Sequence, residues 1–506
     1  MTHNVAERRS GFFPGGRRAA YIWLTCLLLL LGFAFQGTRA VWSTDEGRYT
    51  ENALQMIYSG DYLVPAYSAE RMNFTKPPMH YWAIAASVNL FGHNTWAVRT
   101  PNALAFVLTA LLLCLMGRLF MPAKPWLPGL IYGCSLGPFI AANVVSTDTL
   151  LTFFEALAML GFVYAAFGDR DGPRRHYIRL MWAGFGLAFL TKGPPGLLPL
   201  LAIVPFVVKR DGWRALGRVF SPSGLAVFLI VGFSWYLVVI LRHPWLLHYF
   251  LYYEVYDRIF TATHNRSPQW YGWMTTYGPA FIVGTLPWWL SLWRGMRSVA
   301  SIQRLRQWWR APGVRLFLLL WFLIPLIVFC TSRSRLPVYV LPLFMPLSLM
   351  IAIKLQQRVN LGLTRQRVML GVWVACLIAL KAGVGIYAHP ASDNRLRTEQ
   401  LTSITGGVSY SALVFVEDTA VDVGIEEHTP WGMRLYIDKP IYGIAWRKPG
   451  SAERLCRLMH GNATLLFAVE KGVDTVALEK AMARCAPREV KRVGTWRQYS
   501  LELSRN

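Results

Sequence analysis

Long apolar stretches separated by short basic ones set the pattern of this chain. Runs such as 21–35, 104–116 and 316–329 are almost wholly apolar. With their flanks they approach the ~20 residues that a helix needs to cross a bilayer. The pattern predicts spans near 21–37, 101–118, 125–141, 149–167, 180–190, 194–208, 222–241, 274–293, 314–330, 338–354 and 368–388. A further short span or re-entrant helix near 79–92 brings the expected total to about 11 to 13. The basic N-terminus (Arg8, Arg9, Arg17, Arg18) runs into the first apolar stretch without a small-residue cleavage site. That stretch is therefore read as a permanent span and not as a signal peptide.

The basic residues fix an expected orientation. They cluster at the N-terminus and at 118–124, 170–179, 209–218, 294–315 and 354–367. With the spans above, all of these fall on one side, which the positive-inside rule makes the cytoplasm. The other side then receives 38–100, the turns at Asp148 and Lys192, 242–273, the turn at 333–337 and the tail from about 389. Two of these outer segments, 45–59 and 245–260, mix charges with Leu, Tyr and Phe and read as helices lying in the membrane interface. The tail changes character. Residues 414–416 and 435–437 read as short strands, and 452–459 and 477–483 as helical turns. The expected architecture is an all-α polytopic membrane domain over 1–390, followed by a small periplasmic α/β domain over 391–506. The expected location is a bacterial inner membrane.

Composition supports this reading. Of 506 residues 54% are hydrophobic and only 16% charged, against about 25% charged in soluble domains. A soluble fold is excluded. The net charge of +25 would raise nucleic acid in a soluble domain, but here the arginines sit in loops between spans and face anionic lipid head groups. No nucleic-acid partner is expected. Of the seven cysteines, five lie in or beside apolar spans. Cys456 and Cys485 lie in the polar tail, where a periplasmic setting permits a structural disulfide between them.

The candidate chemistry lies on the outer side. The first outer loop opens with Thr44-Asp45-Glu46-Gly47-Arg48-Tyr49 and reaches Thr75-Lys76-Pro77-Pro78. Acidic groups at membrane depth are costly unless they meet cations or water. Arg48 shares a helix face with Asp45, so the pair reads equally as an interfacial cap or as part of a site. Two prolines stiffen the backbone after Lys76, whose ammonium suits a phosphate or simple snorkelling to head groups. Asp148 reads as an N-cap or as a site carboxylate. Lys192, Arg333, Arg335 and Tyr339 come from other turns on the same side. Convergence of so many ionisable groups on one face makes a site hypothesis. A transporter or flippase is the rival class, but no paired broken helices or pseudo-repeats are visible.

The motifs Asp-Glu-x-Arg-Tyr at 45–49, Ser-Gly-Asp at 59–61, Lys-Pro-Pro at 76–78 with Tyr81-Trp82, and Thr147-Asp148-x-Leu150 resemble one family. So do Thr191-Lys192-Gly193, the Tyr-Tyr-Glu-x-x-x-Arg run at 252–258 and Arg335-Leu336-Pro337-x-Tyr339. The sequence is similar, over roughly residues 20–355, to the lipid A aminoarabinose transferase branch of the GT-C membrane glycosyltransferases. The resemblance implies transfer of a sugar from a polyprenyl-phosphate donor to lipid A or a related envelope acceptor, by single displacement with inversion. It implies catalytic roles for Asp45, Asp148 and Lys76, and substrate binding by Glu46, Arg48, Lys192, Glu254, Arg258, Arg335 and Tyr339. Another sugar, or a protein or glycan acceptor, is the nearby alternative. Family members that hold a divalent metal have Glu before the lysine and a histidine near the position of His264. Here Thr75 stands in place of that glutamate, so neither a metal nor another cofactor is expected.

Overall fold

The computed structural model describes residues 16–169, 174–252, 267, 269–289, 302–421, 425–426, 428–485 and 489–505. In chain order its first helices are α1 (Gly16–Phe33), α2 (Asp45–Ser59), α3 (Met79–Phe91) and α4 (Thr95–Phe120). They are followed by α5 (Leu127–Cys134), α6 (Leu136–Ala142), α7 (Thr147–Phe167), α8 (Arg174–Lys192) and α9 (Leu200–Asp211). Next come α10 (Pro222–Arg242), α11 (Gly272–Gly284), α12 (Ile302–Arg310), α13 (Val314–Thr331), α14 (Phe344–Leu355) and α15 (Thr364–Tyr387). Every expected span meets one of these helices. Six of the described helices are long and apolar enough to cross a membrane by length and composition. Leu229, Ile230, Leu237 and Leu241 on α10 and Val368, Met369 and Val372 on α15 are exposed. Unpaired leucines and valines along a whole helix face are what a lipid-contacting helix presents.

The chain divides into two compact units. The first comprises residues 1–36, 75–80 and 99–382. Its helices pack through small residues, as expected where lipid gives no hydrophobic drive between helices. The approach of α7 to α8 shows this. A Cβ at Gly161 would lie 2.6 Å from the Met181 backbone nitrogen, and one at Gly184 2.5 Å from that of Ala158. Around this pair Phe162, Phe206 and Phe317 form one aromatic cluster.

One end of this unit gathers its cations. Arg118 donates from Nε to the Tyr21 hydroxyl at 3.2 Å. Lys124 donates to the carbonyls of Gln356 and Val359, both at 2.6 Å. Arg210 reaches the Ala166 carbonyl at 3.1 Å, and Lys209 lies 5.0 Å from the Trp309 ring centre. These are ends of α1, α4, α7, α9, α12 and α14, so basic segments far apart in sequence meet at one end. The other end is stitched by amides. Asn102 donates to the carbonyls of Val144 (3.0 Å) and Ser146 (2.9 Å) and pairs with His80 at 3.0 Å.

The second unit comprises residues 37–74, 81–98 and 383–506. The first outer loop therefore belongs with the tail, and the compact division falls at 383 where the sequence pattern placed it near 390. The reason is specific. Arg434 donates to Glu51 Oε1 (2.9 Å) and Gln55 Oε1 (2.7 Å), in a pair exposed by only 5% and 0%. Gly47 also lets α2 approach closely, since a Cβ there would stand 2.9 Å from the Gly432 nitrogen. The loop carries a small hairpin, β1 (Ala66–Ser68) with β2 (Arg71–Met72).

In the tail, β3 (Ala412–Glu417), β4 (Ile441–Ala445), β5 (Thr464–Glu470), β6 (Glu489–Trp496) and β7 (Tyr499–Arg505) form one sheet in the order β4-β3-β5-β7-β6. The first three strands in that order are parallel, and the remaining pairings are antiparallel. Leu413 and Phe415 pack in one core, and Ala412, Val414 and Val416 in another on the opposite face. A strand buried on both faces needs the continuous apolar run that this one has. Cys456 and Cys485 are joined by a disulfide. Residues 435–437, expected as strand, instead lie in the short helix Arg434–Ile437. Three apolar residues carry no period, and the left-handed Asp438 (φ 49°) turns the chain into β4 only after them.

Two predictions follow from this packing. Gly184→Ala forces a methyl against the backbone of α7 and lowers stability by about 1–3 kcal/mol. Gly371→Ala, which meets open space, is neutral or stabilising. Thermal unfolding in detergent compares them.

The second concerns pH. Glu417 is 1% exposed, and burial pushes its carboxyl up to about 8 despite the bond from Thr429. The folded carboxyl holds a proton that the unfolded chain releases near the usual carboxylate range. Its contribution to stability is full at pH below about 4.5 and is lost as pH rises to about 8. The melting temperature of the protein therefore falls across that window, and Glu417→Gln flattens the slope.

Candidate active site

In the first unit the site is built at the junction of α7 and α8. Ser146 is the residue that caps α7, with extended backbone and no side-chain capping bond. Asp148 lies in the first turn, where the helix dipole favours a carboxylate. Its side chain does not cap. It accepts a hydrogen bond from Lys192 Nζ at 2.5 Å, with both side chains largely buried at 6% and 10% exposed. Lys192 is the last residue of α8, the end at which a cation is favoured. Gly193 follows with φ 74° and turns the chain sharply into Pro194-Pro195. The ammonium also stands 4.3 Å from the centre of the Tyr339 ring, within cation–π range. Three residues singled out in the sequence, Asp148, Lys192 and Tyr339, are thus one cluster.

Arg335 is placed next to this cluster in a different state. It is 4% exposed and donates to the carbonyls of Ser267 (2.6 Å), Gln269 (2.8 Å) and Cys330 (3.0 Å). Those bonds clasp the segment before α11 to the end of α13. Tyr277 on α11 was not legible as a site residue. Among the described residues its hydroxyl is buried without a hydrogen-bond partner, and it lies within electrostatic reach of Tyr339, Arg335 and Asp148. The only sequence signal was a tyrosine in an apolar segment. Lys76 donates to the Thr75 carbonyl at 2.8 Å. Among the described residues no group of three His, Cys, Asp or Glu side chains stands close enough to share a metal ion.

The second unit holds the acidic motif of the first outer loop. Asp45 opens α2, is half exposed and pairs with Arg48 one turn on. Glu46 is 4% exposed. It accepts from Arg39 at 2.6 and 2.8 Å and from the Trp42 amide at 3.0 Å, which fixes the start of α2. Asn73 donates to Asn52 (3.1 Å) and Tyr81 (3.3 Å), holding the loop against the middle of the helix. Asp45 is left as the acidic side chain of this motif that reaches solvent. Glu254, Arg258 and His264 lie outside the described residues, as does most of the expected interfacial helix after residue 252.

Residues 75–239 match the family described as dolichyl-phosphate-mannose-protein mannosyltransferase. The undecaprenyl phosphate-alpha-4-amino-4-deoxy-L-arabinose arabinosyl transferase of Edwardsiella ictaluri is 31% identical over 74% of this chain and 67% of its own length. The chain belongs to that aminoarabinose transferase family. The Shewanella sediminis member is 32% identical, over 62% of this chain and 56% of its own length, so the matched region leaves much of that relative uncovered. Among solved structures, ArnT from Cupriavidus metallidurans bound to undecaprenyl phosphate has a TM-score of 0.72 at 18% identity, covering 96% of this chain and 97% of that one. The apo oligosaccharyltransferase of Archaeoglobus fulgidus scores 0.54 at 11% identity, over 85% and 64%. The aminoarabinose transferase family is one of GT-C membrane glycosyltransferases, and the chain is a multi-pass membrane glycosyltransferase with a small C-terminal sheet domain.

For this family member the ion pair at the α7–α8 junction has a separable test. Lys192→Met leaves Asp148 buried without its counter-charge, so it lowers both stability and transfer rate, the rate by roughly 100- to 1,000-fold. Combining it with Asp148→Asn restores the melting temperature and leaves the rate low. Rate and melting temperature recovering together would reduce the pair to a structural one.

Proposed function

We propose that this chain transfers a sugar, 4-amino-4-deoxy-L-arabinose in the first instance, from a polyprenyl-phosphate donor to lipid A or a related envelope acceptor. The observation that carries the reading is Lys192, a largely buried ammonium held between Asp148 and the Tyr339 ring in a member of the aminoarabinose transferase family. An ammonium desolvated at a helix end, with one carboxylate and one ring as company, suits an incoming phosphate. The names of the relatives and the undecaprenyl phosphate bound to a structural neighbour support this donor class.

In the proposed reaction an acceptor oxygen forms a bond to the anomeric carbon as the bond from that carbon to the phosphate oxygen breaks. The electron pair stays on the departing polyprenyl phosphate, and the configuration inverts. The transition state carries positive charge on the ring and growing negative charge on the phosphate. Lys192 and Lys76 are assigned to the phosphate, with Tyr339 positioning Lys192. The family resemblance, and not a contact between the two units, assigns Asp45 to the sugar side, with Arg48 beside it orienting its carboxylate. An ionised phosphate on the acceptor attacks without a base; a hydroxyl acceptor gives its proton to Asp45. The gathering of cations at the opposite end of the first unit supports a cytoplasmic N-terminus and chemistry on the periplasmic face of an inner membrane.

Mass spectrometry of lipid A from a deletion strain tests this. Wild-type complementation is expected to restore an aminoarabinose-sized addition on a lipid A phosphate, and Asp45→Ala is not. Lipid A identical in all strains would refute lipid A as the acceptor and turn the same experiment to envelope glycans and proteins.

A further inference from the structure

We propose that the groove between α12 and α13 binds an anionic glycerophospholipid of the surrounding bilayer, its phosphate on Arg306 and Arg310 and an acyl chain along Leu316, Leu319 and Leu320. The groove measures about 420 Å³. Both of its cations stand on one wall. Leu305, Arg306, Trp309 and Arg310 come from α12, and the three leucines from the first turns of α13. Cations at one rim and an apolar floor beyond them match a head group and a tail.

The cations call for an anion. The described part of α12 reads Ile-Gln-Arg-Leu-Arg-Gln-Trp-Trp-Arg, without an acidic residue. Arg306 and Arg310 are four residues apart on one helix face, a like-charge arrangement that disfavours the helix unless a negative group lies between them. Both are exposed, and among the described residues neither makes a salt bridge. Nearby, Lys209 packs 5.0 Å from the Trp309 ring centre and Arg315 lies 6.0 Å from that of Trp308. The tryptophans are thus held by cations at the level where aromatic rings meet head groups.

Position separates this groove from the reaction. α13 runs 18 residues from Val314 to Thr331, about 27 Å as an α-helix. The groove adjoins its first turns, whereas Arg335 follows its last. That is roughly the thickness of the hydrocarbon core. A donor phosphate at Lys192 does not reach α12, and a long polyprenyl chain exceeds the groove. One acyl chain of a bilayer phospholipid fits its size, and the head group fits its place.

Native mass spectrometry of the full chain, delipidated in detergent, provides the test with phosphatidylglycerol, phosphatidylcholine of the same acyl chains and undecaprenyl phosphate as probes. Wild type is expected to retain phosphatidylglycerol over phosphatidylcholine, with a preference that falls as salt rises. Arg306→Gln with Arg310→Gln is expected to weaken phosphatidylglycerol retention roughly tenfold or more, while Arg306→Lys with Arg310→Lys keeps most of it. Leu319→Trp, which fills the floor, is expected to weaken both phospholipids. Undiminished retention by the Gln pair overturns the proposal, as does a wild-type preference indifferent to salt, which needs no variant to fold. Undecaprenyl phosphate displacing phosphatidylglycerol from wild type at equal concentration overturns the choice of a bilayer phospholipid.

Discussion

An ammonium group within a helical membrane bundle is tolerable only beside an opposite charge or water, and that constraint organises the first unit. Lys192 ends one helix and Asp148 begins its antiparallel neighbour, so their hydrogen bond also sets the register of α7 against α8. The register holds because Gly161 and Gly184 let the two backbones approach more closely than any side chain permits. Each helix end places its charge where the peptide dipoles favour it, a carboxylate at an N-terminus and a cation at a C-terminus. Tyr339 then supplies a π face to the same ammonium. The cluster is thus arranged by backbone packing several turns away from it.

The second unit meets a related problem with a different solution. Its buried pair, Glu51 with Arg434, joins two segments nearly 400 residues apart in the chain, separated by 383 positions. Burial drives the Glu51 carboxyl up to about 7, against the pull of Arg434. A pair of this kind adds little net stability but makes alternative packings of α2 costly, because either partner alone is an uncompensated buried charge. The consequence is local precision. With Glu46 tied to Arg39 at the start of the helix and Glu51 tied to Arg434 in its second turn, the direction of α2 is fixed and Asp45 is presented at its tip.

Much of this was legible in the sequence because membrane helices announce themselves. Apolar length placed a helix at every expected span, six of those described long enough to cross a membrane, and the distribution of Lys and Arg marked one end of the bundle before any contact was known. Asp148 and Lys192 stood out as charges bordering apolar runs, although nothing in the sequence said that they touch. The partnerships were illegible for a physical reason. A hydrogen bond between residues 51 and 434, or from Asn102 to the carbonyls at 144 and 146, leaves no periodicity and no local composition bias. Tyr277 was hidden likewise, since a tyrosine among apolar residues reads as an interfacial ring until its hydroxyl is found buried. The short segment at 435–437 went astray because its fate is decided by Arg434 and Asp438 on its flanks.

The distribution of charge along the first unit carries one more step. Two groups of its cations have different partners. At one end Lys192 and Arg335 meet a carboxylate, an aromatic ring or backbone carbonyls within the protein, and both are largely buried. At the opposite end, Arg306 and Arg310 point outward among exposed residues, and Lys209 and Arg315 brace tryptophans. Buried cations with internal partners have their hydration already removed, so a phosphate that displaces a partner meets a prearranged field. Exposed cations keep their water and interact with a charged surface weakly, additively and in a salt-dependent way. The first arrangement suits a reaction that must bind and release one phosphate per turnover. The second suits a continuous anionic surface that holds the molecule at a fixed depth. The same two residue types, lysine and arginine, thus serve both tasks, and desolvation is what distinguishes them.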